Sequence, residues 1–291
     1  MVVFRDTGQV VDGVYLIDIG IWGIEKQMAI YIIKSSDLTA LIDTGTKKES
    51  KTVLRELQSL GITLDYIIVT HSHIDHCGAI YQIAKNFPNA TICIPNLAQD
   101  LKKEYAKKSK RLGFSNPLKL LKEESVIKLD SNFILKVLET PGHIADHLSI
   151  LDLKHQILFV GDACGSHHLG KNFSRPTAYA PYFNHEAYIN SLLRFQEINP
   201  KGLGIASYGF ATHENAKNCI QSAINDYHNW KQSVIEIIRE NPEENYVACA
   251  LLQKFGRSPG EIKENRSEQW IKTILIGIAR GFINSLGLKK I

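Results

Sequence analysis

Along the first half of the chain, apolar positions alternate with a strand period, switch to a helix period, and then repeat the change. Val10–Ile19 alternates and stops at Gly20, which predicts a strand. The apolar runs Ala29–Ile33 and Leu38–Ile42 flank the polar stretch 34–37 and predict a hairpin. Lys48–Leu60 carries Val53, Leu54, Leu57 and Leu60 at helical spacing, with Gly61 as a stop. Tyr66–Val69 reads as a short buried strand, Gly78–Asn86 as a helix and Ala90–Ile94 as the next strand. The lysine-rich stretch Leu97–Glu124 is helical or irregular. Phe133–Leu138 is a strand, and His147–Leu151 with Gln156–Val160 predicts a second hairpin.

Both hairpins end in an acidic residue, Asp43 and Asp162. This suggests a repeated βαβ arrangement of two facing sheets with helices outside. From Gln232 onward there are no clear strands. Val234–Arg239, Tyr246–Phe255 and Gln269–Ile283 read as helices, with a break at Gly256–Gly260. The last of them places Trp270, Ile271, Ile274, Leu275, Ile278 and Phe282 on one broad face. Packing against the main domain is the expected use of that face; a dimer contact or an active-site cap are the alternatives. The expected division is a main domain at 1–232 and a helical C-terminal extension at 233–291.

Composition narrows the classes. With 44% apolar and 22% charged residues in 291, the chain has the balance of a globular protein that folds without disulfides. A net charge of +4 is short of what a dedicated nucleic-acid binder carries. The five cysteines are scattered, odd in number and never spaced C-x-x-C, which fits a reduced compartment. No secretory leader pattern and no membrane-spanning apolar run is visible, so the cytoplasm is the expected location.

The candidate chemistry is concentrated in Thr70-His71-Ser72-His73-Ile74-Asp75-His76. Three imidazoles and a carboxylate at a strand end need something to satisfy them. In an extended stretch His71 and His73 point to one side and can share an ion. A helix starting near Asp75 would swing Asp75 and His76 toward a neighbouring position, with Gly78 allowing close packing. His143 follows a strand in Thr140-Pro141-Gly142-His143, and Asp162 ends another in Val160-Gly161-Asp162.

With these residues in place, the chain resembles the metallo-β-lactamase superfamily of αββα hydrolases over roughly residues 8–225. The H-x-H-x-D-H motif stands as His71, His73, Asp75 and His76, and Leu41–Gly45 matches the segment that supports the ligands. The resemblance implies a four-layer αββα sandwich of two mixed sheets. It also implies a dinuclear centre: His71, His73 and His143 at one site, Asp75 and His76 at the other, and Asp162 bridging. Zinc is the usual occupant; iron and manganese also suit such donors. The implied reaction is attack of metal-bound hydroxide, with Asp75 orienting it and carrying its proton.

One position departs from the family pattern. Ser207 stands where a further second-site histidine is expected, which predicts a weaker second ion. His213, His167 and His168 are the candidates to replace that histidine. Cys164 reads as a small buried residue, His147 as a supporting group near the centre or a surface residue. Lys102, Lys103, Lys107, Lys108, Lys110 and Arg111 read as a solvated helix face, with attraction of an anionic substrate as the alternative. The expected substrate is a small-molecule ester, thioester or lactone. A phosphodiester, a di-iron redox or sensor role, and a non-catalytic binding protein are the alternatives. Nucleic acid and membrane are not expected partners; a homodimer is compatible with the apolar helix face.

Overall fold

The structure is a computed structural model and describes residues 3–4, 6–167, 174–257 and 266–288. Among them, two seven-stranded sheets lie face to face. The first holds β2 (Gly8–Val11), β3 (Val14–Asp18), β4 (Ala29–Lys34), β5 (Thr39–Ile42), β6 (Tyr66–Ile68), β7 (Thr91–Pro95) and β8 (Leu118–Leu121), in sequence order. The second runs β1 (Val3–Phe4), β14 (Gly209–Thr212), β13 (Gly202–Ile205), β12 (Ile157–Phe159), β11 (Leu148–Asp152), β10 (Ile134–Glu139), β9 (Val126–Lys128). Both are mixed: β5 to β8 are parallel in the first, and only β12 and β13 in the second.

Both faces of each sheet are covered, so the central strands are apolar at nearly every position. Between the sheets, Leu16, Tyr31, Ile33 and Ile68 meet Leu135, Val137, Ile150 and Phe159. Outside the first sheet, Ile32, Leu41 and Ile67 pack on Val53 and Leu57 of α1 (Ser50–Ser59), Ile80 and Ile83 of α3 (Ile80–Asn86) and Leu101 of α4 (Gln99–Leu112). Outside the second, Leu158 and Leu203 pack on α5 (His185–Ile198), α6 (Glu214–Glu240), α7 (Glu244–Phe255) and α8 (Glu268–Ser285). The four-layer sandwich and the C-terminal helical region are therefore as the sequence implied.

The differences are local. Val10–Ile19 is not one strand but the hairpin β2–β3, turning at Asp12-Gly13; Gly13 has φ 72°, and a Cβ there would meet the Lys34 carbonyl at 2.5 Å. The lysine-rich stretch contains α4 and also the edge strand β8, whose first three residues are half-buried and whose last, Leu121, is buried. The lysines and Arg111 face solvent, where Lys103 pairs with Asp100 and Lys108 with Glu104. The division expected at 232/233 falls within α6, which runs unbroken because no glycine or proline interrupts residues 214–240. Its buried residues, Cys219 to Ile238, share one core with α5, α7 and α8. Most of the break at 256–260 lies outside the described residues. No described helix is long and apolar enough to cross a membrane.

Candidate metal centre

Four strand ends converge on one edge of the sandwich. The segment after β6 leaves the sheet at Thr70 and enters the short helix α2 (Ile74–Cys77) at His73, which is extended at φ −66°, ψ 146°. His71 is fully buried and His73 partly so. Gly78 closes α2 against the chain: a Cβ there would meet the Ile74 carbonyl at 2.3 Å and the Thr46 backbone at 3.0 Å. From the second sheet, His143 comes from the β10–β11 connection and Asp162 from the end of β12, both nearly buried.

Three ring nitrogens meet. His73 Nδ1 lies 3.0 Å from His71 Nε2 and 2.8 Å from His143 Nε2. The other ring nitrogens of His71 and His143 are committed to protein oxygens. His143 Nδ1–H donates to the Thr177 carbonyl at 2.6 Å, so Nε2 carries a lone pair. The Thr70 hydroxyl donates to Asp43, at 2.9 and 3.0 Å from its two oxygens, and therefore accepts from His71 Nδ1–H at 3.1 Å. His71 Nε2 is then also a lone pair. These tautomers follow from partners that can only accept. Donor atoms 2.8–3.0 Å apart are close to the ~3.3 Å that tetrahedral Zn–N bonds of ~2.0–2.1 Å require, so this set fits a small dication.

A second group adjoins it. His76 Nδ1 donates to Asp43 Oδ2 at 2.8 Å, turning Nε2 toward Asp162 Oδ1 at 3.6 Å. Asp162 Oδ2 lies 3.5 Å from His143 Nε2, so one carboxylate faces both groups. Two overlapping sets, His71/His73/His143 and His71/His76/Asp162, each have donor atoms within 4.8 Å of one another. Asp75 stands at the margin: its Oδ2 is 4.0 Å from His76 Nε2, its side chain is part-exposed, and it belongs to neither set.

The electrostatics match a cation site. Burial and the neighbouring imidazoles push His71 well below its ordinary range. Burial and His143 bring His73 down to about 4. Both are therefore neutral donors at pH 7. Burial acts in the same direction on His76, but Asp43, Asp162 and Asp75 outweigh it and raise its pKa. Burial opposes charge on Asp162, yet His76 and His143 hold it well below the usual carboxylate range.

Several supporting residues carry no motif signal. His147, buried, accepts the Asp162 backbone N–H at Nε2 (3.1 Å), so its Nδ1–H points at Thr140 Oγ1 (2.9 Å). It is a supporting group, not a surface residue. Gly161 makes this possible: at φ 49°, a Cβ would meet His147 Nε2 at 2.6 Å. Thr177 ties two elements, its carbonyl to His143 and its hydroxyl to the Asp162 carbonyl at 2.6 Å. Of the supporting groups, the sequence pointed to Thr70, the Asp43 segment and, as one of two readings, His147; it did not point to Thr177.

Ser207 does reach the centre, with its hydroxyl 3.2 Å from Asp162 Oδ1. Its loop is held by the first sheet: Ala29 N–H donates to the Ala206 carbonyl at 2.8 Å, and the Tyr31 hydroxyl lies 2.6 Å from the Gly209 carbonyl. Two of the three candidate replacements lie among the described residues. His213 is exposed at the start of α6. His167 turns Nε2 to the Cys164 carbonyl at 2.9 Å. His168 lies outside the described residues. Cys164 is a fully buried thiol, its pKa raised by burial. Beside the cluster opens a cavity of about 440 Å³ with Asp75, Asp162 and Ser207 in its wall, a size typical of small-molecule sites.

A fold of two facing mixed sheets with a histidine and carboxylate cluster at one edge defines a metallohydrolase class. Residues 23–201 match the model of the metallo-beta-lactamase superfamily, and the chain belongs to that superfamily. It is a metal-binding hydrolase of this fold. It is 28% identical over 193 residues to hydroxyacylglutathione hydrolase 1 of Vibrio vulnificus, covering 62% of this chain and 70% of that one. A metallo-beta-lactamase family protein from Thermus thermophilus superimposes with a TM-score of 0.65 at 16% identity, covering 96% and 95% of the two chains. An archaeal superfamily protein from Sulfolobus tokodaii gives 0.61 at 22%, covering 93% and 98%.

Proposed function

We propose that the protein hydrolyses a small-molecule thioester or ester at a dinuclear, zinc-type centre. The observation that carries this reading is the convergence of His71 Nε2, His73 Nδ1 and His143 Nε2 beside a cavity, with the rings of His71 and His143 fixed through their other nitrogens. These three would hold one ion. His76 and Asp162, with Asp75 at the margin, would hold a second. When bound, such ions polarise a carbonyl and lower the pKa of water toward ~7. A thioester is favoured because the Vibrio vulnificus relative is named for a hydroxyacylglutathione, itself a thioester.

The chain's own groups then have separable tasks. Asp75, part-exposed on the cavity wall, orients the attacking water, takes its proton and returns it to the departing thiolate. Water adds to the carbonyl carbon, the C–S bond breaks, and an acid and a thiol leave. Asp43 holds His76 directly and His71 through Thr70, so both present Nε2 to the centre. Ser207 donates to Asp162 Oδ1 and so competes for the oxygen that faces His76. A second ion there would accordingly be held more weakly than the first.

The test compares hydrolysis of an S-acyl glutathione, an aryl ester and a bis-aryl phosphate by zinc-loaded wild type and by Asp75→Asn, with metal content measured in both. Thioester hydrolysis that falls ~10²-fold or more in the variant, with the first ion retained and the loss exceeding any drop in second-ion occupancy, supports the reading. Turnover of the phosphate alone would contradict it.

A further inference from the structure

The C-terminal helix α8 reaches the cavity at which the proposed reaction takes place. Trp270 and Ile274, one turn apart on α8, line it together with Asp75 and Asp162. Trp22 and Met28 of the β3–β4 loop line the same cavity. The chain has three tryptophans. Trp230 is buried and stacked on Phe255, whereas Trp22 is 62% and Trp270 37% exposed, and both line this one cavity. Large apolar rings left in water around a cavity mark a surface meant to be covered.

The backbone beneath both rings is held in place. Trp22 sits at φ 55°, ψ 22°, a conformation that non-glycine residues adopt at a cost, and its backbone N–H donates to Glu49 Oε1 at 3.2 Å. Asp18 accepts from the backbone of Gly20 at 3.0 Å and Lys26 at 2.8 Å, fixing both ends of that loop. On α8, Ser267 caps the helix through the Trp270 N–H, and the Arg266 guanidinium lies 4.7 Å from the Trp270 ring centre. Glycines dock α8 on the segment beside the metal centre. A Cβ at Gly281 would meet the Ala178 carbonyl at 2.2 Å, and one at Gly277 the Tyr179 ring at 3.3 Å. That segment is continuous with Thr177, which holds His143 and Asp162. The position of Trp270 is therefore set relative to the reacting atoms through one short run of backbone.

We propose that α8 is a specificity element: Trp270 and Ile274, with Trp22 and Met28 in the wall of the same cavity, form a subsite for a flat apolar group on the acyl side of the substrate. The proposal rests on the thioesterase reading for the reaction, but the subsite can be read by binding alone. It favours arylalkanoyl over acetyl thioesters. Each buried methylene is worth ~4-fold in affinity, so a phenylpropyl extension that covers both tryptophans should gain on the order of 10- to 100-fold.

The experiment uses acetyl and 4-phenylbutanoyl thioesters of one thiol for kcat/KM, and acetate and 4-phenylbutanoate for calorimetric binding. Wild type, Trp270→Ala, Trp22→Ala and Trp270→Phe are compared after zinc loading. The expected result is a preference of at least ~10-fold for the phenyl compounds in both measurements. It should collapse in either alanine variant and persist largely in Trp270→Phe, which keeps the ring and guards against misfolding. Equal handling of the two compounds by wild type, or an unchanged ratio in Trp270→Ala, would overturn the proposal. Hydrolysis without preference would sink the subsite and leave the reaction standing. Preferential binding of 4-phenylbutanoate with no hydrolysis would do the reverse.

Discussion

The two sheets are built on one plan and use it differently. In the first, hairpin β4–β5 leads through α1 to the parallel strand β6; in the second, hairpin β11–β12 leads through α5 to the parallel strand β13. Each hairpin ends in a buried aspartate. Asp43 turns inward and accepts from Thr70 and His76, while Asp162 faces the imidazoles. Beyond β6 come His71, His73, Asp75 and His76; beyond β13, at the matching place, comes Ser207. The topology offers two equivalent edges to a dication. Only the chemistry of the residues placed there decides that one edge supplies most of the donors and the other leaves a gap.

The largest expected effect is loss of the donor-rich edge. His73→Ala removes the nitrogen that both His71 and His143 face. Its zinc content should drop by at least one ion per chain, and hydrolysis to below ~0.1% of wild type, since a bound metal supplies several kcal/mol of transition-state stabilisation. Full metal content, measured by elemental analysis, would break the assignment.

The second effect asks whether the C-terminal helices belong to the second half's core. Phe282 of α8 is fully buried against Phe183 and Tyr227, and Leu57 of α1 is equally buried in the first half. Phe282→Ala and Leu57→Ala should each cost ~2–5 kcal/mol, lowering Tm by roughly 5–15 °C. A thermally unaffected Phe282→Ala would make the last helix an appendage.

Next comes Asp43 against its topological counterpart Asp162. Asp43→Asn keeps the shape but weakens the hold on His76 and His71. A loss of ~10–100-fold in zinc affinity is expected, against a larger loss for Asp162→Asn. Equal losses would mean that both aspartates contact the ions.

A smaller effect is on pH. In the apo protein, His71, His73 and His147 have folded pKa values below the ~6.5 of an unfolded chain. The unfolded state then binds more protons, so apo stability should fall as pH drops from ~6.5 toward ~4. His76, raised, acts in a different window: its contribution is fully present below ~6.5 and is lost only as pH rises above that, so it leaves the acid-side slope unchanged. Apo melting temperatures across that range check the sign, and a rise on acidification would contradict it.

The layers and the donors were legible because both are written in short-range patterns: apolar runs of strand length, and histidines two apart after one of them. What was not legible depends on long-range contact. The split of Val10–Ile19 was visible in Asp12-Gly13 once turn chemistry is given precedence over alternation. Edge strand β9 is hidden because only Ile127 of its three residues is buried, and β8 because its four residues follow closely on a lysine-rich helix. Thr177 lies 34 residues from His143, and no spacing rule links a carbonyl to a histidine at that distance. Trp270 carried a correct helix face, but only the docking of Gly277 and Gly281 on residues 178–179 brings it to the cavity.

The account turns on the unequal edges, and calorimetric zinc titration of the apo protein, beside Ser207→His, tests it most directly. Ser207 already touches Asp162 and is held by the first sheet, so an imidazole there would begin next to the second set of donors. The prediction is two phases in wild type, one tight ion and one that a mild chelator removes, with the second phase tightened by Ser207→His. Two equally tight ions in the wild-type protein would contradict it.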